Sequence, residues 1–272
     1  MDNEAKTYKI IIAAHKPYDL PTDPVYLPIH VGAALSDKNL GYQRDDEGDN
    51  ISKRNPHFCE LTGLYWAWKH VDADYIGLVH YRRHFSIKKK PGKVINSALT
   101  TQQVAQLMER YRVLVPKKRH YVIETLYSHY KHTHYEEHLI MTKNIIADQC
   151  PEYLGAYNEV THRTSGHMFN MMVMEKGLLD EYCSWLFAIL FELEDRLGNP
   201  ELTMSAYQGR LYGRVSEIIF NVWLLHQFET GHLSEHDVKE VNCLCTEKVN
   251  WVKKGTSFLR SKFFHRKYEG SF

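Results

Sequence analysis

An α/β fold, with a mostly parallel sheet flanked by helices, is predicted by three features of this 272-residue chain. Apolar runs at 8–14, 75–79 and 112–116 have the length and residue types of buried strands. Segments with helical periodicity separate them, the pattern of strands joined by helical crossovers. Each run also ends abruptly in basic residues: His15-Lys16, then His80-Tyr81-Arg82-Arg83, then Lys117-Lys118-Arg119-His120. Open α/β sheets bind ligands outside the carboxyl ends of their strands. The cationic ends of the first two runs therefore predict one shared cleft for an anion. Adjacent arginines with planar donors suit phosphate, although surface arginines after an edge strand fit the same pattern.

The elements follow in order. Tyr8 to Ala14 is the first strand. Pro17, Pro21, Pro24 and Pro28 make 18–28 a loop, and 29–35 a short strand. Residues 40–55 are polar, contain Gly41, Gly48 and the acidic group 45–50, and read as a mobile loop able to order over a ligand. Pro56 to His70 reads as one helix, with Phe58, Leu61, Leu64, Tyr65 and Trp68 on a shared face. Lys88 to Lys93 is a basic turn. Helices are predicted over 101–111, 123–138, 143–150, 177–197 and 215–228, and a methionine-rich strand over 167–174. One domain is expected over 1–250. The remainder, 251–272, carries Lys253, Lys254, Arg260, Lys262, Arg266 and Lys267 interleaved with Phe258, Leu259, Phe263 and Phe264. Such a helix can lie on an anionic membrane, or dock on the sheet with its basic face in water.

Composition narrows the function classes. A formal net charge of +1 gives no reason to expect a nucleic-acid partner. No window approaches a transmembrane span, and Met1-Asp2-Asn3-Glu4 does not open a secretory signal. The five cysteines lack metal-site spacing and read as reduced thiols of a cytoplasmic protein.

Several motifs together resemble the DUF4422 family. They are Ala14-His15-Lys16-Pro17-Tyr18, Asp49-Asn50-Ile51-Ser52, Asn55-Pro56, the run Glu60 to Lys69, Gly77 to Arg83, Met168 to Met172 and Asp180 to Phe187. The similarity covers roughly the first four-fifths of the chain. It implies a bacterial glycosyltransferase of capsule, exopolysaccharide or O-antigen assembly, with a GT-A-like (Rossmann-like) fold. The expected donor is a nucleotide-sugar, UDP-linked, carrying galactofuranose or another hexose. The expected acceptor is a lipid-linked saccharide at the inner face of the bacterial inner membrane, which the basic tail would contact. The alternative is a non-catalytic nucleotide-sugar-binding module of a polysaccharide assembly complex. One departure stands out: the family often has Asn-Met-Phe-Ile-Met where this chain reads His167 to Met171.

The chemistry assigns roles. Glycosyl transfer must neutralise a departing diphosphate, and Arg82, Arg83 and His80 are the candidate cations. His15, Lys16 and Tyr81 sit at the same strand ends and are candidates for the nucleotide. Asp49, Asn50, Ser52, Glu60, Thr62 and Tyr65 offer groups for sugar hydroxyls or stacking, although helical spacing of aromatics also fits a core. His129, Tyr130, His134 and His167 are candidates for substrate contact through the resemblance. His134 and His138 could share a helical face, but HExxH is absent. Glu217 is the candidate base for the acceptor hydroxyl; a helix-end carboxylate is the plainer alternative. Asp72-Ala73-Asp74 has the literal pattern of a metal-binding pair, yet it precedes its strand and would lie at the wrong sheet edge. No cofactor is therefore expected to be required, with manganese or magnesium the opposing case.

Overall fold

The computed structural model describes residues 5–88, 95–198 and 204–246. The predicted tail at 251–272 and most of the basic turn at 88–93 lie outside them. The chain divides into two compact units, which interleave in sequence. One takes Met1–Lys117, Phe169–Cys183 and Leu233–Thr246; the other takes Lys118–Met168 and Ser184–His232.

The first unit is built on an eight-stranded sheet. Its strands are β1 (Tyr8–Ala14), β2 (Tyr26–His30), β3 (Gln43–Arg44), β4 (Tyr75–His80), β5 (Arg83–Ser86), β6 (Val113–Pro116), β9 (Met172–Glu175) and β10 (Val238–Cys245). β1 pairs parallel with β2 and β4, β2 parallel with β3, and β6 parallel with β10. The other pairings are antiparallel: β4 with β5 and β9, β9 with β6, and β10 with β5. The sheet is therefore mixed, which corrects the expectation of a mostly parallel one. The reason is local. β5 and β10 are short or polar strands without a buried apolar pattern, so their pairing leaves no periodic signature.

β4 lies at the centre of this arrangement. Tyr75 to Leu78 face β9, while His80 alone faces Arg83 of β5. Pairing thus runs from β4 through β9, β6, β10 and β5 back to β4. Ile10, Ile12, Val79, Phe85, Leu114 and Val173 are buried in the core packed on this sheet.

Two further corrections follow. β2 includes Pro28, which lies level with Ile12 of β1, while β3 reaches only Ile29 and His30. At Pro28 the strand is an edge on one side, where a missing N–H costs little. The helix expected over 56–70 is broken into α1 (Asn55–Phe58) and α2 (Leu61–His70). Cys59 between them holds φ 54°. α3 (Thr101–Met108) begins at a capping box formed by Thr100 and Gln103.

The second unit is mainly helical: α4 (Leu126–Thr133), α5 (Glu136–Gln149), α6 (Leu154–His162) and α8 (Leu211–Glu229), with a small ribbon of β7 (Arg119–His120) and β8 (Ser165–Gly166). The single helix expected over 123–138 breaks at His134 and Tyr135, whose backbones are extended. α7 (Lys176–Leu197) is continuous, as predicted. α8 starts four residues before the expected Val215, which puts Glu217 in its second turn rather than among the free N–H groups of its end.

Candidate functional site

The parallel register of β1 and β4 sets Ala13 beside His80. The chain leaves both strands in the same direction, so His15-Lys16 and Tyr81-Arg82-Arg83 emerge side by side. The Tyr81 amide donates to the Ala13 carbonyl at 3.1 Å and fixes the second exit against the first. Tyr81 forms the centre of a small aromatic group: His15 and Tyr18 meet it edge-on at 5.0 and 4.8 Å. The Lys16 ammonium lies 5.5 Å from the rings of both Tyr18 and Tyr81, and the Arg82 guanidinium 5.7 Å from Tyr81. Lys16 is exposed and Arg82 and Arg83 half-buried. Among the described residues neither Lys16 nor Arg83 makes an ion pair. Five of the predicted site residues, His15, Lys16, Tyr81, Arg82 and Arg83, thus come together.

Arg83 is positioned from below. Its guanidinium lies 4.5 Å from the Phe169 ring centroid. Phe169 and Asn170 both hold positive φ, 79° and 50°, a turn that ordinary side chains avoid. Two bonds keep it: His80 Nε2 donates to the Phe169 carbonyl at 2.5 Å, and Asn170 Nδ2 donates to Glu60 Oε1 at 2.7 Å. Burial holds the His80 pKa below its ordinary value, with the Arg83 and Arg82 charges adding to it against the Glu60 carboxylate. His80 thus braces the turn that carries Phe169. Glu60 serves the same turn. The strand expected over 167–174 is shortened by this turn to β9.

The loop 45–50 is tied down rather than free. Asp45 is fully buried and accepts from the amides of Gly32 and Ala33 and from Ser52 Oγ. Asn50 donates to the Asp46 and Gly48 carbonyls and accepts from the Ser52 amide. Tyr65 donates to Asp49 Oδ1, and Trp66 Nε1 to the Glu47 carbonyl. Thr62 is buried and donates to the Cys59 carbonyl. Ser52, Thr62 and Asn50 thus brace backbone, while Asp49 is exposed and Tyr65 half-buried.

Asp72 and Asp74 lie at the amino end of β4. Asp74 Oδ2 accepts from the Thr7 amide and hydroxyl just before β1, and Asp72 pairs with Lys176 at 3.2 Å. They are separated from the cationic exit by the whole length of the strand. No group of three or more His, Cys, Asp or Glu able to hold a metal ion occurs among the described residues.

The second unit carries the histidines. Glu124 is buried and accepts from Nδ1 of His129 at 2.8 Å and of His132 at 2.6 Å. His134 Nδ1 donates to Gln208 Oε1 at 2.8 Å, and the Gln208 amide is fixed by donating to the Thr133 carbonyl. Burial and the nearby Arg214 charge hold the His134 pKa well below its ordinary value. Arg214 in turn donates to the carbonyls of Gln208 and Tyr207. The Tyr130 hydroxyl lies 2.8 Å from His138 Nδ1, and burial raises its pKa. The Arg214 charge opposes that rise and the Glu217 charge adds to it. His167 is clamped by Asn221, whose side chain accepts from its amide and donates to its carbonyl. Glu124, Gln208 and Asn221 have no role assigned from sequence. Their partners are mostly on other elements, and no periodic pattern marks them.

No helix among the described residues is long and apolar enough to cross a membrane. The family described as Domain of unknown function (DUF4422) matches residues 9–228. No curated protein matches the chain. Among solved structures, the WbbM bifunctional glycosyltransferase in its apo form is similar, at 30% identity and a TM-score of 0.81 over 89% of this chain. This chain spans 46% of that one, about half its length.

Proposed function

The chain belongs to the DUF4422 family, and from that membership and its cationic strand ends we propose that it is a glycosyltransferase that grips a nucleotide-sugar by its diphosphate. The observation that carries this reading is the register Ala13 to His80, from which the basic segments at 15–16 and 82–83 leave neighbouring strands at the same end, with Lys16 and Arg82 both against the Tyr81 ring. Likeness to a glycosyltransferase structure supports it.

In this reading the first unit is GT-A-like and holds the donor. Lys16, Arg82 and Arg83 meet the diphosphate, and the rings of Tyr18 and Tyr81 border the nucleotide. Their fixed positive charge offsets the charge that develops on the leaving group as the sugar gains oxocarbenium character. Arg83 is suited to this because its guanidinium is planar and already stacked, so little freedom is lost on binding. The donor is proposed to be UDP-linked and to carry a hexose such as galactofuranose, and the acceptor to be a lipid-linked saccharide of capsule, exopolysaccharide or O-antigen synthesis. Glu217 is proposed as the base that takes the acceptor proton. Asp49 and Tyr65 remain proposed sugar contacts, and His129, Tyr130, His134 and His167 proposed substrate contacts.

The reaction is proposed to run without a required metal. Turnover that persists in a chelator supports this; complete loss restored by manganese contradicts it. The function itself is tested by incubating the protein with a panel of nucleoside diphosphate sugars and following release of the nucleoside diphosphate. Binding and turnover of one donor supports the proposal. Tight binding with neither transfer nor hydrolysis, even with lipid-linked acceptor present, would make the chain a sugar-nucleotide-binding module instead.

A further inference from the structure

The loop between β7 and α4 presents two apolar side chains to water. Val122 is 81% exposed and Ile123 59%. Val122 also holds φ 60°, a region that β-branched side chains avoid. The Ile123 amide donates to the Tyr121 carbonyl at 2.7 Å. That bond closes a three-residue turn on Val122, in the hand that is rare and strained.

Both shoulders of the turn are anchored. Tyr121 is buried, its amide donates to the Thr164 carbonyl at 2.8 Å, and its ring lies 4.3 Å from that of His129. Glu124, two residues after Val122, is buried and grips His129 and His132. The tip is therefore held outward by its surroundings, as strained backbone must be to persist. Both side chains stay mostly exposed in this fold.

The flanking charge indicates the partner. Lys117, Lys118 and His120 are exposed and Arg119 half-buried just ahead of the tip. The one acid in 117–124 is Glu124, which is buried and engaged by two histidines. We propose that this loop docks on an anionic lipid bilayer, with Val122 and Ile123 entering the headgroup boundary and Lys117, Lys118 and Arg119 meeting lipid phosphates. An apolar tip alone would suit many partners; the basic flank selects a negatively charged surface. The proposal stands apart from the donor site and does not rest on the transferase reading.

Co-sedimentation of the full chain with vesicles tests it. Vesicles of equal parts phosphatidylglycerol and phosphatidylcholine should bind the protein, and pure phosphatidylcholine should not. The double variant Val122→Gly/Ile123→Ser should lower partitioning about tenfold, a change of about 1.4 kcal/mol. Its Tm should hold or rise, because glycine tolerates the positive φ, so lost binding cannot be blamed on unfolding. Lys117→Gln/Lys118→Gln should weaken binding most at low salt. The loop effect should persist when the six tail cations between Lys253 and Lys267 are replaced by glutamine. Wild-type partitioning of the loop double variant would overturn the proposal. So would a wild-type chain that ignores both vesicles but forms a dimer which the loop variant abolishes, since the tip would then be a contact between copies. Donor titration without vesicles reports on the transferase reading separately, and the loop variant should leave it unchanged.

Discussion

Arg82 and Arg83 are adjacent in sequence but are held differently. The Arg82 carbonyl accepts from the Thr246 amide at 2.9 Å, which fixes its backbone after β10. Arg83 is fixed at its side chain by the Phe169 ring. A charge-assisted bond is worth about 1.5–3 kcal/mol, so Arg83→Ala should weaken donor binding about tenfold to a hundredfold in a calorimetric titration. Arg83→Lys keeps the charge but loses the planar stack, and should recover only part of that loss. Full recovery by lysine would mean that charge alone matters. Glu217→Gln should lower kcat steeply with donor affinity unchanged; near-normal turnover would remove it as the base. Sequence made the basic strand ends legible because each is a local break in an apolar run. The supports of those ends were not legible. His80 meets Phe169 from 89 positions away and Asn170 meets Glu60 from 110, and nothing in either neighbourhood announces the pairing. His80 reads from sequence as a candidate cation; its bond to the Phe169 carbonyl is the part the sequence does not announce.

Strand β4 shows what single elements demand. A Cβ on Gly77 would lie 2.6 Å from Val173 Cγ2 and 2.8 Å from the Met172 carbonyl oxygen. The second contact is backbone and cannot swing aside. Gly77→Ala should therefore force β9 away from β4 and cost about 1–3 kcal/mol, as overpacking does; thermal unfolding checks it, and an unchanged Tm would show that the two strands can separate freely. Glycine inside an apolar strand signals close backbone approach, so this antiparallel neighbour left a trace in the sequence. β5 and β10 left none. The α1–α2 break at Cys59 was hidden for another reason: the apolar spacing of Phe58, Leu61 and Leu64 runs straight through it, and all three are buried on both sides of the kink.

Buried histidines give the molecule as a whole its expected response to acid. His84 is fully buried beside Tyr26, and burial lowers its pKa from 6.5 to about 4, with the neighbouring His80 adding to the effect. Between those values the unfolded chain binds a proton that the folded chain refuses. Stability is thus fully present above pH 6.5 and is lost as the pH falls toward 4. His84→Phe should make acid unfolding shallower by up to about one proton; an identical slope would show that other groups govern it. The two-unit division was not legible, because within the described residues the chain passes between the units three more times after Lys117, once inside the continuous helix α7 between Cys183 and Ser184, where no break in composition marks the crossing. The α/β class was legible, since three buried strands and the long α7 carry clear periodicity. Whether the two arginines that follow β4 hold the diphosphate is decided by a crystal of the protein grown with a nucleoside diphosphate sugar. Diphosphate oxygens should lie within hydrogen-bond distance of the Arg82 and Arg83 guanidinium groups. A donor bound elsewhere, with both side chains turned to solvent, would contradict it.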